Sequence, residues 1–221
     1  QLIIWYFSNS ALNIFINLQL LINSTFVGVF ASCVTVFFAI SLALSFRQLN
    51  SLKPLIIIST SGYAIPGSVI SAGLLIGFDF LFDTSITFYG IFGLIICLAL
   101  RFMTPAFNYI STSLLNISKS AEYALATQPS NPLKAFSYFY LPQMKPAIYL
   151  SLMLVFIESV KEQPATLLLR PLGFDTLSTK IYNYTSEGQW EMAAGPSLFL
   201  VAISLIFVYV INKNIDISES K

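Results

Sequence analysis

Glu158, Lys161 and Glu162 stand at i, i+3 and i+4, a spacing that places two carboxylates and an amine on one face of a helix. Carboxylate oxygens suit hard cations, and a charge left in lipid costs a few kcal/mol. This face therefore either pairs within itself and ends its helix or meets a charged cargo in water. A second candidate is Pro66-Gly67, in the middle of the apolar run from Leu55 to Gly77. Proline removes an i to i−4 hydrogen bond and glycine loosens the backbone, and broken backbone at membrane depth is tolerated only where protein buries it or it lines a cavity. A packing kink and part of a pathway are both open readings here. Gly62, Gly73 and Gly77 of the same run are expected to admit close helix approach. No metal-ligand set is firmly assigned: the chain has no His, and Cys33 and Cys97 sit inside apolar runs as small hydrophobes. No nucleophile with a base and no Gly-x-x-x-x-Gly-Lys-Ser/Thr run occurs, so neither an enzyme nor an ATP site of the chain's own is expected.

The elements that carry these residues belong in lipid. Of 221 residues, 56% are apolar and only 10% charged, and the mean hydropathy is +0.78, against roughly 25% charged in an average soluble domain. A net charge of +1 with scattered basic residues offers no stripe for nucleic acid. A crossing helix needs about 20 mostly apolar residues. Spans are predicted over Ser24–Phe46, stopped by Arg47; over Leu55–Gly77; over Ser85–Phe107, with Arg101 near its end and snorkelling to the headgroups; over Pro146–Val160; and over Ala193–Ile211. The opening Gln1-Leu-Ile-Ile-Trp reads as the end of a preceding helix and not as a signal peptide. The expected fold is therefore all-α and polytopic, one domain over 1–221 with about five complete spans plus the end of a sixth, truncated at its amino terminus. Lys and Arg gather at Arg47, Lys53, Arg101, Lys119, Lys134, Lys145, Lys213 and Lys221, against Lys161, Arg170 and Lys180 on the other side. The positive-inside rule then makes 108–145 cytoplasmic and 161–191 periplasmic.

Within 108–145, the residues from Ala121 to Gln128 are helix formers, and Gln-Pro-Ser-Asn-Pro breaks them. Asn131 is placed to cap a second short helix with Pro132 in its first turn, and Leu141-Pro142 is expected to end it. This segment resembles the cytoplasmic loop of binding-protein-dependent ABC importer permeases, whose pattern is Glu-Ala-Ala, three residues, Gly, nine residues, an apolar residue, any residue, then Leu-Pro. Ala124, Leu141 and Pro142 match, Glu122 is displaced by one position, and Pro129 stands where the pattern has Gly. A positive φ is therefore closed to that turn. The run from Lys161-Glu-Gln-Pro-Ala-Thr-Leu-Leu-Leu-Arg-Pro to Ser186-Glu-Gly resembles the outer segment of ferric iron permeases of this superfamily. Gly62-Tyr-Ala-Ile-Pro-Gly-Ser-Val and Arg101-Phe102 fall where that family has them.

The resemblance implies the transmembrane domain of a type I ABC importer, similar to the carboxy-terminal half of a ferric iron permease, in the bacterial inner membrane. It implies an ATPase-coupling loop at Glu122, Ala124, Pro129, Leu141 and Pro142, and a translocation path or outer gate at Tyr63, Pro66, Gly67, Glu158, Glu162 and Arg170. The implied cargo is Fe3+ handed over by a periplasmic iron-binding protein. ATP would act on partner ABC ATPase subunits, a second permease half or copy would complete the pore, and the chain itself would bind no cofactor. A different cargo (thiamine, sulfate or a polyamine) and a decayed, non-transporting permease are the alternatives. Thr176 to Tyr184 reads as an amphipathic helix, with Leu177, Ile181 and Tyr184 on one side, that either meets the binding protein or plugs the outer end. The orientation is testable: in a Cys33→Ser, Cys97→Ser background, Lys134→Cys is expected to react with a membrane-impermeant maleimide only once the inner membrane is opened. Labelling in intact spheroplasts would invert the topology.

Overall fold

Apolar segments in lipid must satisfy each backbone N–H within themselves, and so they coil. A computed structural model of the chain describes residues 1–8, 14–48, 53–82, 86–127 and 131–219, and no strand occurs among them. A short helix α1 (Leu2–Ser8) precedes the 35-residue α2 (Ile14–Gln48). The second span is α3 (Lys53–Thr60), a 3-10 turn (Ser61–Ala64) and α4 (Gly67–Phe82). There follow α5 (Ile86–Leu115), α6 (Lys119–Ala126), α7 (Pro132–Ala135), α8 (Leu141–Lys161), α9 (Pro164–Leu169), α10 (Leu177–Ser186) and α11 (Trp190–Glu219). Four stretches are long and apolar enough to cross a membrane: Asn17–Arg47, Gly90–Leu115, Leu133–Lys161 and Trp190–Val210. The α3–α4 pair makes a fifth when taken as one broken span.

The predicted spans all recur as helices, but their limits and one of their shapes change. The run expected as one kinked helix over Leu55–Gly77 turns through 116° between its halves. At 1.5 Å per residue neither the 8-residue nor the 16-residue helix covers roughly 30 Å alone. Together they climb α5: the Thr104 hydroxyl donates to the Thr60 carbonyl, Gly62 lies on Leu100, Ser71 meets Cys97 and Phe78 lies beside Gly93. Pro66 supplies the reason for the break, having no N–H, and its carbonyl accepts from Val69 (3.0 Å) and Ile70 (3.3 Å) to start α4 afresh.

The expected pair of surface helices between the third and fourth crossings is also corrected. α5 continues through Asn108 to Leu115, so α6 is the only separate helix described in that stretch. Asn131 does cap, accepting from the Leu133 N–H at 3.0 Å, but Leu141-Pro142 does not end the helix. α7 passes through a π turn (Phe136–Tyr140) into α8. A proline ring at 142 would strike the Tyr138 carbonyl in a regular α turn, and the wider turn accommodates it.

α2, α5 and α8 pack mutually and form the core. The contact runs through small side chains: Ala31, Ala39, Ala43, Cys97 and Ala106 are buried, and Gly28 lies against Phe156 and Val160. Lipid is as apolar as leucine, so close backbone approach and dispersion hold helices together there. Serine and threonine are tolerated because their hydroxyls donate to the carbonyl four residues back, as at Ser24, Thr25, Thr35 and Ser41. Of the glycines expected at helix contacts, Gly62 does this work, because a Cβ there would overlap the Leu100 carbonyl oxygen; Gly73 and Gly77 face open space. Gly62→Ala should therefore destabilise the purified protein by about 2 kcal/mol, while Gly73→Ala and Gly77→Ala leave thermal unfolding in detergent within error. Equal melting of all three would refute the Gly62–Leu100 contact.

Candidate functional site

Polar side chains gather at two places, one at the α6 end of the bundle and one at the break in the second span. At the α6 end, Arg47 closes α2, and its guanidinium is spent on three partners. Nε bonds Glu122 Oε1 at 2.6 Å, Nη1 the Leu114 carbonyl and Nη2 the Ile117 carbonyl at 2.6 Å. The last carbonyls of α5 lack helical donors, and a planar five-donor guanidinium suits them. Glu122 Oε1 also accepts from the Tyr140 hydroxyl at 2.9 Å, in the π turn before α8. Ser118 caps α6, its side chain accepting from the Ala121 N–H at 3.4 Å. One carboxylate thus ties the short surface helix to the ends of α2, α5 and α8. Glu122 was expected in the coupling loop, but its partners Arg47 and Tyr140 were not. Ala124, Leu141 and Pro142 are exposed around the clamp, and Pro129 lies outside the described residues.

At the break, three sequence segments far apart in the chain come together. Gly62 lies on Leu100, the Tyr63 ring is 6.4 Å from the Phe102 ring, and a Cβ on Gly67 would overlap both Glu162 Oε1 and Arg101 Nη1. Arg101 lies in the middle of α5, beside Glu162 with Nε to Oε2 at 3.4 Å, so it does not snorkel to a headgroup. Pro105 below it has no N–H, which leaves the Arg101 carbonyl without its helical donor. Glu162 is 8% exposed and stands past the end of α8 with an extended backbone (ψ 114°), so it does not share a face with Glu158 and Lys161. Those two pair with each other at 3.0 Å on the surface. Burial pushes the Glu162 carboxyl above its ordinary range, against the opposing pull of Arg101 and the Ala165 amide.

The outer segment is fixed to this site and to the first span. Thr166 Oγ1 (2.7 Å) and Ser178 Oγ (3.2 Å) donate to the Glu162 carbonyl. Arg170 pairs with Asp175 across the turn at Gly173, whose φ of +79° favours glycine. Burial lowers the Arg170 guanidinium from its usual value. Asn23 Nδ2 donates to the Asp175 carbonyl, and the Leu177 N–H donates to Ser24 Oγ, each at 2.8 Å. α10 opens with a Thr176–Thr179 capping box, buries Leu177 and half-buries Ile181 and Tyr184.

An all-α bundle of four long spans and a broken fifth, with a clamped surface helix at one end and an ion pair at the break, is the build of a multi-pass membrane protein. Comparison with known proteins makes the class specific: its homologues are ABC transport permeases. The ferric iron branch is represented by the Fe(3+)-transport system permease protein FbpB 2 of Haemophilus influenzae, 31% identical over 152 residues, 68% of this chain and 29% of that protein. A Salmonella typhimurium permease assigned to 2-aminoethylphosphonate transport, PhnV, is 25% identical over 85% of this chain and 71% of its own length. The spermidine/putrescine transport system permease protein PotC homolog of Mycoplasma genitalium is 26% identical over 87% of this chain and 69% of its own. The chain spans less than a third of the length of the ferric relative, and no family model matches it. Its setting is the bacterial inner (plasma) membrane, which four or five of its helical stretches are long and apolar enough to cross.

Arg47→Ala should cost on the order of 2–3 kcal/mol, since it leaves the half-buried Glu122 without its cation and removes a donor from each of the Leu114 and Ile117 carbonyls. Limited trypsin digestion should then cut faster after Lys119. A digestion rate equal to wild type would show that the clamp does not hold α6.

Proposed function

We propose that this chain is the membrane-conducting subunit of an ATP-driven importer that takes ferric iron from a periplasmic binding protein. The observation that carries the reading is the Arg47–Glu122–Tyr140 clamp. A short helix projecting from a bundle can pass on a push only if it is rigidly joined to the spans, and one carboxylate joins α6 to the ends of three of them. In this reading α6 and the segment up to Pro142 face the cytoplasm and receive the stroke of partner ATPase subunits. The helix break with Arg101 and Glu162 lines the conduction path, the α9–α10 segment faces the periplasmic protein, and a second permease half or copy completes the pore. The chain binds no cofactor; ATP is held by the partners, and Fe3+ is cargo.

The ferric relatives support iron, reinforced by the resemblance of the 161–188 run to ferric permeases. A second cargo class has its own support, because the phosphonate and polyamine permeases are matched over about 70% of their length. The intact clamp favours a working subunit over a decayed one. Deletion of the gene is expected to reduce uptake of radiolabelled Fe3+ several-fold, with restoration by wild type and not by Arg47→Ala, and with no effect of excess spermidine or 2-aminoethylphosphonate. Unchanged iron uptake in the deletion strain, or competition by either of those compounds, would move the cargo to the second class.

A further inference from the structure

Arg101 and Glu162 meet at the break of the second span, and their pairing is incomplete. Nε and Oε2 are 3.4 Å apart without hydrogen-bond alignment, and Arg101 Nη1 and Glu162 Oε1 are buried with no hydrogen-bond partner among the described residues. A buried ion pair contributes to stability only when its remaining donors and acceptors are bonded, because desolvation otherwise offsets the attraction. Both unbonded atoms flank the space that a side chain at Gly67 would fill. Gly67 opens the 16-residue α4, whose amino terminus carries about half a positive charge and N–H groups without helical acceptors. Val69 and Ile70 bond back to Pro66, which leaves the amides of Gly67 and Ser68 without an acceptor among the described residues. The remaining groups close by do not change the balance. The Ser71 hydroxyl is bonded to the Gly67 carbonyl, Cys97 contacts Ser71, and Glu158 is paired with Lys161. A guanidinium and a helix amino terminus together outweigh the single carboxylate lodged between them.

We propose that Arg101 and the amino terminus of α4 form an oxyanion site, which takes a carboxylate or phosphate-type group of the cargo, and that the Glu162 carboxylate is its built-in occupant until the cargo displaces it. The proposal rests on placing the helix break in the conduction path. It deepens that reading: a bare hard cation is repelled by Arg101 and the α4 terminus, so a metal passes this point only with its charge masked by an anionic ligand. Glu162 leaves readily because its own bonding there is poor, and a group that satisfies Arg101 Nη1 and the α4 amides is bound better.

The test is equilibrium binding of radiolabelled inorganic phosphate and, separately, citrate to the permease assembled with its ATPase subunits in nanodiscs. The wild type is expected to bind at least one of the two weakly. Glu162→Gln should bind it about tenfold more tightly, since a charged competitor has been removed. Arg101→Lys should keep reduced binding, and Arg101→Gln, recovered in the same assembly, should lose it. Phosphate alone points to a phosphate or phosphonate group on the cargo, citrate alone to a carboxylate, and both to a site that reads the shared oxyanion. Absence of binding of both anions to wild type and to Glu162→Gln would overturn the proposal, as would undiminished binding by Arg101→Gln. Anion binding with this mutational pattern alongside absent iron uptake would leave the site standing and sink only the iron reading; iron uptake without anion binding would do the reverse.

Discussion

Close approach of three helices through small side chains is the constraint on which the rest of this molecule depends. In lipid no water is released when apolar faces meet, so α2, α5 and α8 are held by dispersion between backbones that come near one another. The alanines of α2, Cys97 and Ala106 of α5, and Gly28 against Phe156 and Val160 provide that proximity. Larger apolar side chains divide between the two sides: Leu94, Leu98, Phe102 and Ile110 of α5 fill the interior, while Phe37, Ile57, Ile76 and Phe80 are exposed. The broken second span, the outer segment and α11 pack around these three helices.

Charged groups then have few places to go. Two arginines enter the bundle and find opposite situations. Arg47 reaches the end of α5 and bonds two carbonyls and a carboxylate, so each of its three guanidinium nitrogens has an acceptor. Arg101, halfway along α5, meets one carboxylate in poor geometry and keeps buried donors unbonded. A saturated site is stiff and an unsaturated one is poised to exchange partners. In the proposed function, stiffness suits the end of the bundle where a surface helix would move with the spans, and poise suits the place where the backbone of a span is interrupted.

The α9–α10 segment ties the break to α2. Glu162 is one residue beyond α8, its carbonyl is bonded by Thr166 and Ser178, and the next strands of connection run through Arg170 and Asp175 to Asn23 and Ser24 of α2. These bonds make the position of Glu162 depend on how α8 sits relative to α2.

Much of this was legible in the amino-acid sequence because membrane insertion is governed by local composition. Spans, the helix-breaking role of Pro66, the cap at Asn131 and the amphipathic helix over Thr176–Tyr184 follow from residue type and spacing, while Glu122 was singled out by the family resemblance. Three of the readings that failed share one reason, that local pattern does not register the packing around it. Leu141-Pro142 looked like a helix end, but a π turn lets the helix continue. Gly73 and Gly77 looked like contacts, but no described residue comes within 4 Å of where their side chains would stand. Glu158, Lys161 and Glu162 looked like one charged face, but the backbone turns at Glu162 and carries it to Arg101. By itself the sequence determined which segments live in lipid and where their backbone must break, since these depend on hydropathy and on proline and glycine. Only the tertiary structure decided which charges meet, because an ion pair between residues 61 positions apart is fixed by how helices pack and leaves no periodicity in the chain.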